Sequence, residues 1–284
     1  MKRMHLVEFH DLTVCPKEVR DTLTDLLQFT VRLHGTFKPI ETPLRRAIRK
    51  SGARAIVDLC SGGGGPWRDL DASVPVLLTD KFPNTDAFER MNGAAAANVT
   101  YEFESVDATA VSAELSGFRT LFSSFHHFEP DQARAILADA VAQKQGIAVF
   151  EFTRRHPRAI AQMLLSPIGA LLAVPFMRPF RLLRLFWTYI VPLVPLFLML
   201  DGIVSCLRTY STAELRTMTA EFPDYEWEIG EETGKYWPVP VTYVIGYPRR
   251  EVPKAAASAE RSDEGSGVRV EQIMETAVMN GEAR

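Results

Sequence analysis

The sequence predicts an α/β protein built on a mostly parallel sheet with helices on both faces. Three observations predict it. Short apolar runs alternate with helical patterns between residues 54 and 152, the order that joins parallel strands through crossover helices. Four consecutive glycines, 62–65, directly follow the first of these strands. The alternation stops after residue 152 and resumes near residue 211, so the apolar stretch between them interrupts one domain.

The bulk numbers agree with a packed core. The chain has 284 residues, 46% hydrophobic and 24% charged, which excludes a disordered protein. A net charge of −3 argues against a general nucleic-acid binder. Cys15, Cys60 and Cys206 are odd in number, far apart and without a CxxC. That pattern predicts a reduced, cytoplasmic chain with neither a disulfide framework nor a metal site. The opening MKRMHLVEFHD has basic residues but no apolar run behind them, unlike a secretory signal.

Residues 1–52 read as an N-terminal helical cap. Val19, Leu23, Leu26, Leu27 and Val31 fall largely at helical spacing over 17–34, and Gly35 is the expected stop. A second helix is expected over 43–51, ended by Gly52. The main domain, 53–248, then begins with a buried strand over 54–59, the glycine loop, and a short helix over 67–72. Strands follow at 74–79, 99–106, 119–124 and 146–152, with an alanine-rich helix over 85–97 between the first two. Pro130 suits the first position of a helix over 131–144. After the insertion, 159–207, Ser211-Thr212-Ala213-Glu214 forms a capping box for a helix that must stop before Pro223. Two last strands, 225–229 and 241–247, close the domain. The tail, 249–284, is rich in Ala, Ser, Glu and Gly and is expected to be disordered, with a weak helix over 268–278.

The glycine loop excludes two phosphate sites. No Lys-Ser or Lys-Thr follows it, as a P-loop requires. Counting a dinucleotide fingerprint from Gly62 puts Trp67 where the third glycine belongs, and counting from Gly63 puts Arg68 there. Asp58-x-Cys60-x-Gly62-x-Gly64 instead resembles the acid-x-G-x-G-x-G loop of class I S-adenosylmethionine-dependent methyltransferases, with Cys60 in the place of the first glycine. Asp80 ends the second strand 22 residues later, Asp107 closes the third in FESVDAT, and LFSSFHHF ends the fourth. The resemblance covers residues 53–152 by motif and extends to about residue 247 by strand order.

It implies a Rossmann-like seven-stranded sheet with an antiparallel last strand and S-adenosyl-L-methionine as cofactor, and says hardly anything of the acceptor; methyl transfer to a small, lipophilic molecule is the leading reading. Under the resemblance, Asp58 anchors the loop or meets the cofactor's ammonium. Cys60, Gly62 and Gly64 let the methionine part approach bare backbone, Asp80 accepts the ribose hydroxyls, and Asp107 lies near the adenine amino group. Ser124 belongs to the fourth motif, at the edge where the methyl group moves. His126 and His127 are candidate general bases for an acceptor that must lose a proton, or else ordinary packed and solvated histidines. Glu151 and Arg154 sit at the same edge, as catalytic groups or a surface ion pair. Asp201-Gly202 and Arg208-Thr209-Tyr210 line an acceptor pocket or form a turn. Two other functions stay open: a nicotinamide-dependent oxidoreductase, and a non-catalytic, membrane-associated cofactor-binding protein.

The insertion holds sixteen uncharged residues, 185–200, and a similar run over 163–177, each short of the ~20 that span a bilayer and broken by prolines. Arg178, Arg181 and Arg184 separate them. Three readings remain: a core or lid, an interfacial dock for a peripheral membrane contact, and a transmembrane hairpin. A lid or a dock implies a lipophilic acceptor.

Overall fold

A computed structural model of the protein describes residues 1–71, 73–83, 98–234 and 239–249. Its strands are Ile56–Leu59 (β1), Val76–Leu78 (β2), Val99–Tyr101 (β3), Phe118–Phe122 (β4), Ile147–Glu151 (β5), Tyr225–Glu232 (β6) and Val241–Pro248 (β7). They make one sheet of order β3-β2-β1-β4-β5-β7-β6. The first five run parallel, and β7 is antiparallel to both β5 and β6. This is the Rossmann-like seven-stranded sheet that the resemblance implies. Every residue of β1 and of β5 is buried, as parallel strands covered on both faces require.

The helices are Lys17–His34 (α1), Glu41–Ser51 (α2), Pro130–Ala142 (α3), Pro157–Met163 (α4), Ser166–Ala173 (α5), Leu182–Leu185 (α6, continued by a π turn over Phe186–Ile190), Leu193–Arg208 (α7) and Thr212–Thr219 (α8). The expected stops hold: Gly35 and Gly52 end α1 and α2 in left-handed conformations at φ +57° and +74°. Pro130 opens α3 behind a Glu129–Gln132 capping box, and Ser211 with Glu214 caps α8 reciprocally. On one face of the sheet Ile40, Leu44 and Ile48 pack on Ile56, Phe118 and Phe150. On the other, Ile136 and Leu137 of α3 and Leu215 of α8 pack on Val57, Leu121 and Val149. Each such side chain contributes about 1.5–3 kcal/mol by leaving water.

Four expectations need correction or fall elsewhere. No helix covers the described part of 67–72. Leu70 N donates to Pro66 O, a single turn that stops where Lys38 and Arg45 take the carbonyls of Asp69 and Asp71. The third strand is shorter than 99–106, because the Glu102 carboxylate takes the N–H groups of Phe103 and Glu104 and draws them from the ladder. Pairing with the second strand resumes where Val106 N donates to Asp80 O at 3.0 Å. The helix over 85–97, and the tail from residue 250 with its weak helix, lie outside the described residues.

The insertion is helical and two-sided. Ala170, Val174, Met177 and Val194 pack against Val19, Leu23 and Leu26 of α1 rather than against the sheet. Arg184 is buried among them and meets Asp25 of α1 at 2.6 Å. The other side exposes Leu164, Leu165, Ile168, Leu172, Phe176 and Phe180. Among the described residues no single helix is long and apolar enough to cross a membrane; two bent pairs, kinked by 40° and 73°, pass that test only together.

Candidate active site

The site grows from the carboxyl ends of the parallel strands. Asp58 stands opposite Thr120 across the β1–β4 pair. Its carboxylate accepts Thr120 Oγ1 at 2.5 Å and Ser61 Oγ at 2.7 Å, and the Trp67 indole lies beside it outside hydrogen-bond geometry. Burial pushes this carboxyl up to about 6, against the pull of Thr120 and Ser61. With both oxygens engaged inside the protein, Asp58 acts as the loop's anchor, the first of its two predicted roles.

The loop turns by left-handed backbone. Cys60 has φ +56°, Gly62 +51°, Gly64 +103° and Gly65 +58°. Cys60 thus adopts the conformation that the missing glycine would supply, at a cost of about 1–2 kcal/mol for a residue with a Cβ. Burial, with Asp80 and Asp58 nearby, pushes its thiol up to about 12, so at neutral pH it is a packed, unreactive group. A Cβ on Gly63 would strike Gln28 Nε2 of α1 at 2.2 Å, whereas one on Gly62 would meet nothing within 4 Å. At Gly63 the Gln28 side-chain end can swing aside, leaving Thr24 Cγ2 at 3.2 Å as the tighter neighbour, whereas Gly62 borders open space.

Two acids flank that space. Asp80 accepts Gly62 N at 2.8 Å on one oxygen and Phe82 N at 2.9 Å on the other. The Val106 contact brings Asp107 alongside; it pairs with Lys81 at 2.7 Å and accepts the N–H and hydroxyl of Thr109. Lys81 and Thr109 hold its carboxyl down to about 2. Both carboxylates keep lone pairs beyond these bonds. At the end of β4, Ser123 also has a left-handed backbone, at φ +48°. Among the described residues the buried Ser123 hydroxyl has no hydrogen-bond partner, and the Ser124 hydroxyl has only the Cys60 thiol beside it, a cost that a bound polar ligand would relieve. Open space at Gly62, flanking carboxylates and under-satisfied hydroxyls fit the cofactor that the resemblance implies.

A turn over Phe125–His127 follows β4 and carries both candidate bases. His126 is 3% exposed; its Nδ1 meets Glu151 Oε2 at 2.8 Å, and its backbone N–H donates to Glu151 Oε1. Glu151 is therefore a buried partner of His126. Arg154 forms a separate surface pair with Glu231 at 2.6 Å. His127 stacks obliquely on His126 with centroids 4.3 Å apart; burial, then the nearby His126 and Arg208, hold its imidazole well below the usual range.

The residues that sequence reasoning missed lie in the first ten. Glu8 is buried and reaches both histidines, with its carboxylate 3.8 Å from His126 Nε2 and 3.9 Å from His127 Nε2. Burial raises its carboxyl above the ordinary range. Ser205 and Arg208 hold it from α7 at 2.9 and 3.1 Å. Asp201 takes the N–H groups of Phe9 and His10 and the His10 ring. Arg3 donates to the carbonyls of His126, Phe128 and Arg208 and lies over the Tyr210 ring. The Asp201 and Arg208–Tyr210 groups thus secure the N-terminal segment across the sheet edge. The one sequence signal was the density of ionisable residues in a stretch with no period.

No family model matches the chain, and a search of curated proteins returns no match. Solved structures do match. The fold is similar to that of the plantazolicin methyltransferase BpumL in complex with SAH, with a TM-score of 0.50 at 9% identity, over 82% of this chain and 98% of that one. An O-methyltransferase from neocarzinostatin biosynthesis, in complex with S-adenosylmethionine and 2-hydroxy-5-methyl naphthoic acid, aligns with a TM-score of 0.48 at 15% identity, over 82% of this chain and 59% of that one. The chain has the class I methyltransferase fold.

Proposed function

We propose that the protein is an S-adenosylmethionine-dependent methyltransferase acting on a small, lipophilic molecule. The observation that carries this reading is the corner where Asp80 holds Gly62 N beside open space, with the buried, under-satisfied hydroxyls of Ser123 and Ser124 just past the neighbouring strand. Asp80 would accept the ribose hydroxyls, Asp107 would lie near the adenine, and the backbone of 62–64 would receive the methionine part. When bound, the cofactor supplies a methyl group already activated on a sulfonium. The protein's share is to align the acceptor and exclude water. His126, oriented by Glu151, and His127 would serve an acceptor that must lose a proton.

Calorimetric titration tests this. S-adenosylmethionine should bind the wild type in the micromolar range, and Asp80→Ala should weaken binding by about 1–3 kcal/mol, the scale of lost hydrogen bonds to a buried ligand. A wild type that gives no heat with it would sink the proposal, and heat with NAD(H) instead would favour the oxidoreductase.

The lipophilic acceptor rests on the insertion, which supports peripheral contact with an anionic membrane. Residues 152–200 contain six arginines and no acid; Arg154, Arg155 and Arg184 pair with Glu231, Glu214 and Asp25, which leaves Arg158, Arg178 and Arg181 as the exposed ones. Arg178 and Arg181 lie exposed beside Phe176 and Phe180, the arrangement of a surface that sinks apolar groups below a plane of phosphates. The protein should float with vesicles containing phosphatidylglycerol and less with phosphatidylcholine alone. Leu172→Glu with Phe176→Glu should abolish flotation while leaving cofactor affinity intact. Unchanged flotation of that double variant would remove the membrane from the account.

A further inference from the structure

We propose that Glu8, His126 and His127 form a binding site for a divalent transition metal of the zinc class. One donor atom from each can be chosen so that all three lie within 4.8 Å of one another. Two imidazoles and one carboxylate form a set that binds zinc with positions left open for another ligand. Around zinc, with bonds of ~2.0–2.2 Å, donors stand about 3.3 Å apart. His126 Nε2 lies 3.8 Å from Glu8 Oε1 and His127 Nε2 lies 3.9 Å from Oε2, so one carboxylate oxygen faces each ring and the three side chains must draw together to share an ion.

The strongest sign is at His126. Its Nδ1 faces the Glu151 carboxylate at 2.8 Å, so a metal on the neutral ring would take Nε2. That Nε2 is buried, has no hydrogen-bond partner among the described residues, and faces Glu8 at 3.8 Å. The separation is too long for a hydrogen bond and leaves room for an ion held by both groups. Glu151 supplies the outer carboxylate that orients a metal-binding histidine. Glu8 is likewise braced: Ser205 Oγ donates to its Oε1, and Arg208 Nη1 lies 3.1 Å from the same oxygen as an ion pair, while Oε2 faces His127 and lies 3.5 Å from His10 Nδ1. The Arg208 guanidinium also makes a metal-free state tolerable.

The ligands come from two places, the N-terminal segment and the turn after β4. A bound ion would therefore fasten the first ten residues to the sheet edge, and by taking the imidazole lone pairs it would replace the general-base role of His126 and His127 with a Lewis-acid contact to an acceptor oxygen. Metal binding can be tested apart from methyl transfer.

Tag-free protein, stripped with chelator and dialysed, is titrated with zinc and then with manganese, with metal content read by plasma mass spectrometry. One zinc per chain and a rise in melting temperature are expected. Glu8→Gln, which keeps a side chain for Ser205, should weaken zinc binding about 100-fold or more, and Glu151→Gln by about 10–100-fold. His127→Asn gives a second ligand variant should Glu8→Gln fold poorly, and unchanged circular dichroism and S-adenosylmethionine affinity certify either one. Wild type that takes up no metal at micromolar free zinc would overturn the proposal, leaving a proton shared between Glu8 and His126. So would a ligand variant that binds as tightly as wild type.

Discussion

Asp58→Ala should cost about 2–4 kcal/mol of stability and remove cofactor binding with it. Thr120 would be left with a buried hydroxyl and no acceptor among the described residues, while Ser61 Oγ would keep the carbonyl of residue 58 and the Thr79 N–H but lose the carboxylate. Hydrogen bonds to an ionised group are worth about 1.5–3 kcal/mol each, and a stranded buried donor costs about as much. These neighbours share one carboxylate, so their losses will not simply add. Because Ser61 O also receives the N–H groups of Gly64 and Gly65, the glycine turn loosens when Ser61 does. Urea denaturation gives the stability, and titration of the folded fraction gives the binding. The same residue sets a pH dependence. Its folded carboxyl, pushed to about 6 from an ordinary 3.8, holds a proton that the unfolded chain has released, so its contribution to stability falls as pH rises from about 4 to 6. Asp58→Asn should remove that downward component. Parallel stability profiles for the two proteins across this window would show that the carboxyl is not buried as described.

Asp139→Ala should be more damaging still, at about 3–5 kcal/mol. Arg119 lies in the middle of the sheet with no exposed surface, and its Nη1 meets Asp139 Oδ2 at 2.5 Å. The Nε and Nη2 groups have no partner, so this one contact carries the balance of a buried charge. Removing the acid leaves the cation uncompensated, the situation that makes half of a buried pair costly to lose. Asp139 also takes the Val111 N–H and the Gln143 amide, which adds to the loss. Replacing both partners, Arg119→Met with Asp139→Leu, should recover much of it. Denaturant midpoints for the single and double variants decide the matter; a double variant no better than Asp139→Ala alone would mean that packing around Arg119, rather than its charge, is at stake.

The parallel strands were legible because each is a short apolar run, a local pattern, while the seven-stranded arrangement with its reversed last strand was implied by the family resemblance. The same resemblance marked Cys60 as standing in a glycine's place, and the structure adds that its backbone is left-handed there. Arg119 drew no notice, because one arginine inside FRTLF looks like an edge residue until Asp139, twenty positions on, is folded against it. Glu8 was hidden more deeply: its partners Ser205, Arg208 and His126 all lie more than a hundred residues away, and no periodicity encodes such a contact. The helix expected over 67–72 failed in the opposite way. Its local pattern was adequate, but Trp67 is drawn into the core against Phe122 and the following carbonyls are claimed by the cap.

The contrast between Gly62 and Gly63 bears on where a substitution in the loop would be felt. A Cβ at Gly63 would press on the Gln28 side chain and on Thr24 of α1, a helix tied to the insertion through Asp25 and Arg184. One at Gly62 would meet nothing within 4 Å. Strain introduced at Gly63 is thus passed to α1 and the insertion, while a change at Gly62 stays on the side where Asp80 holds the loop.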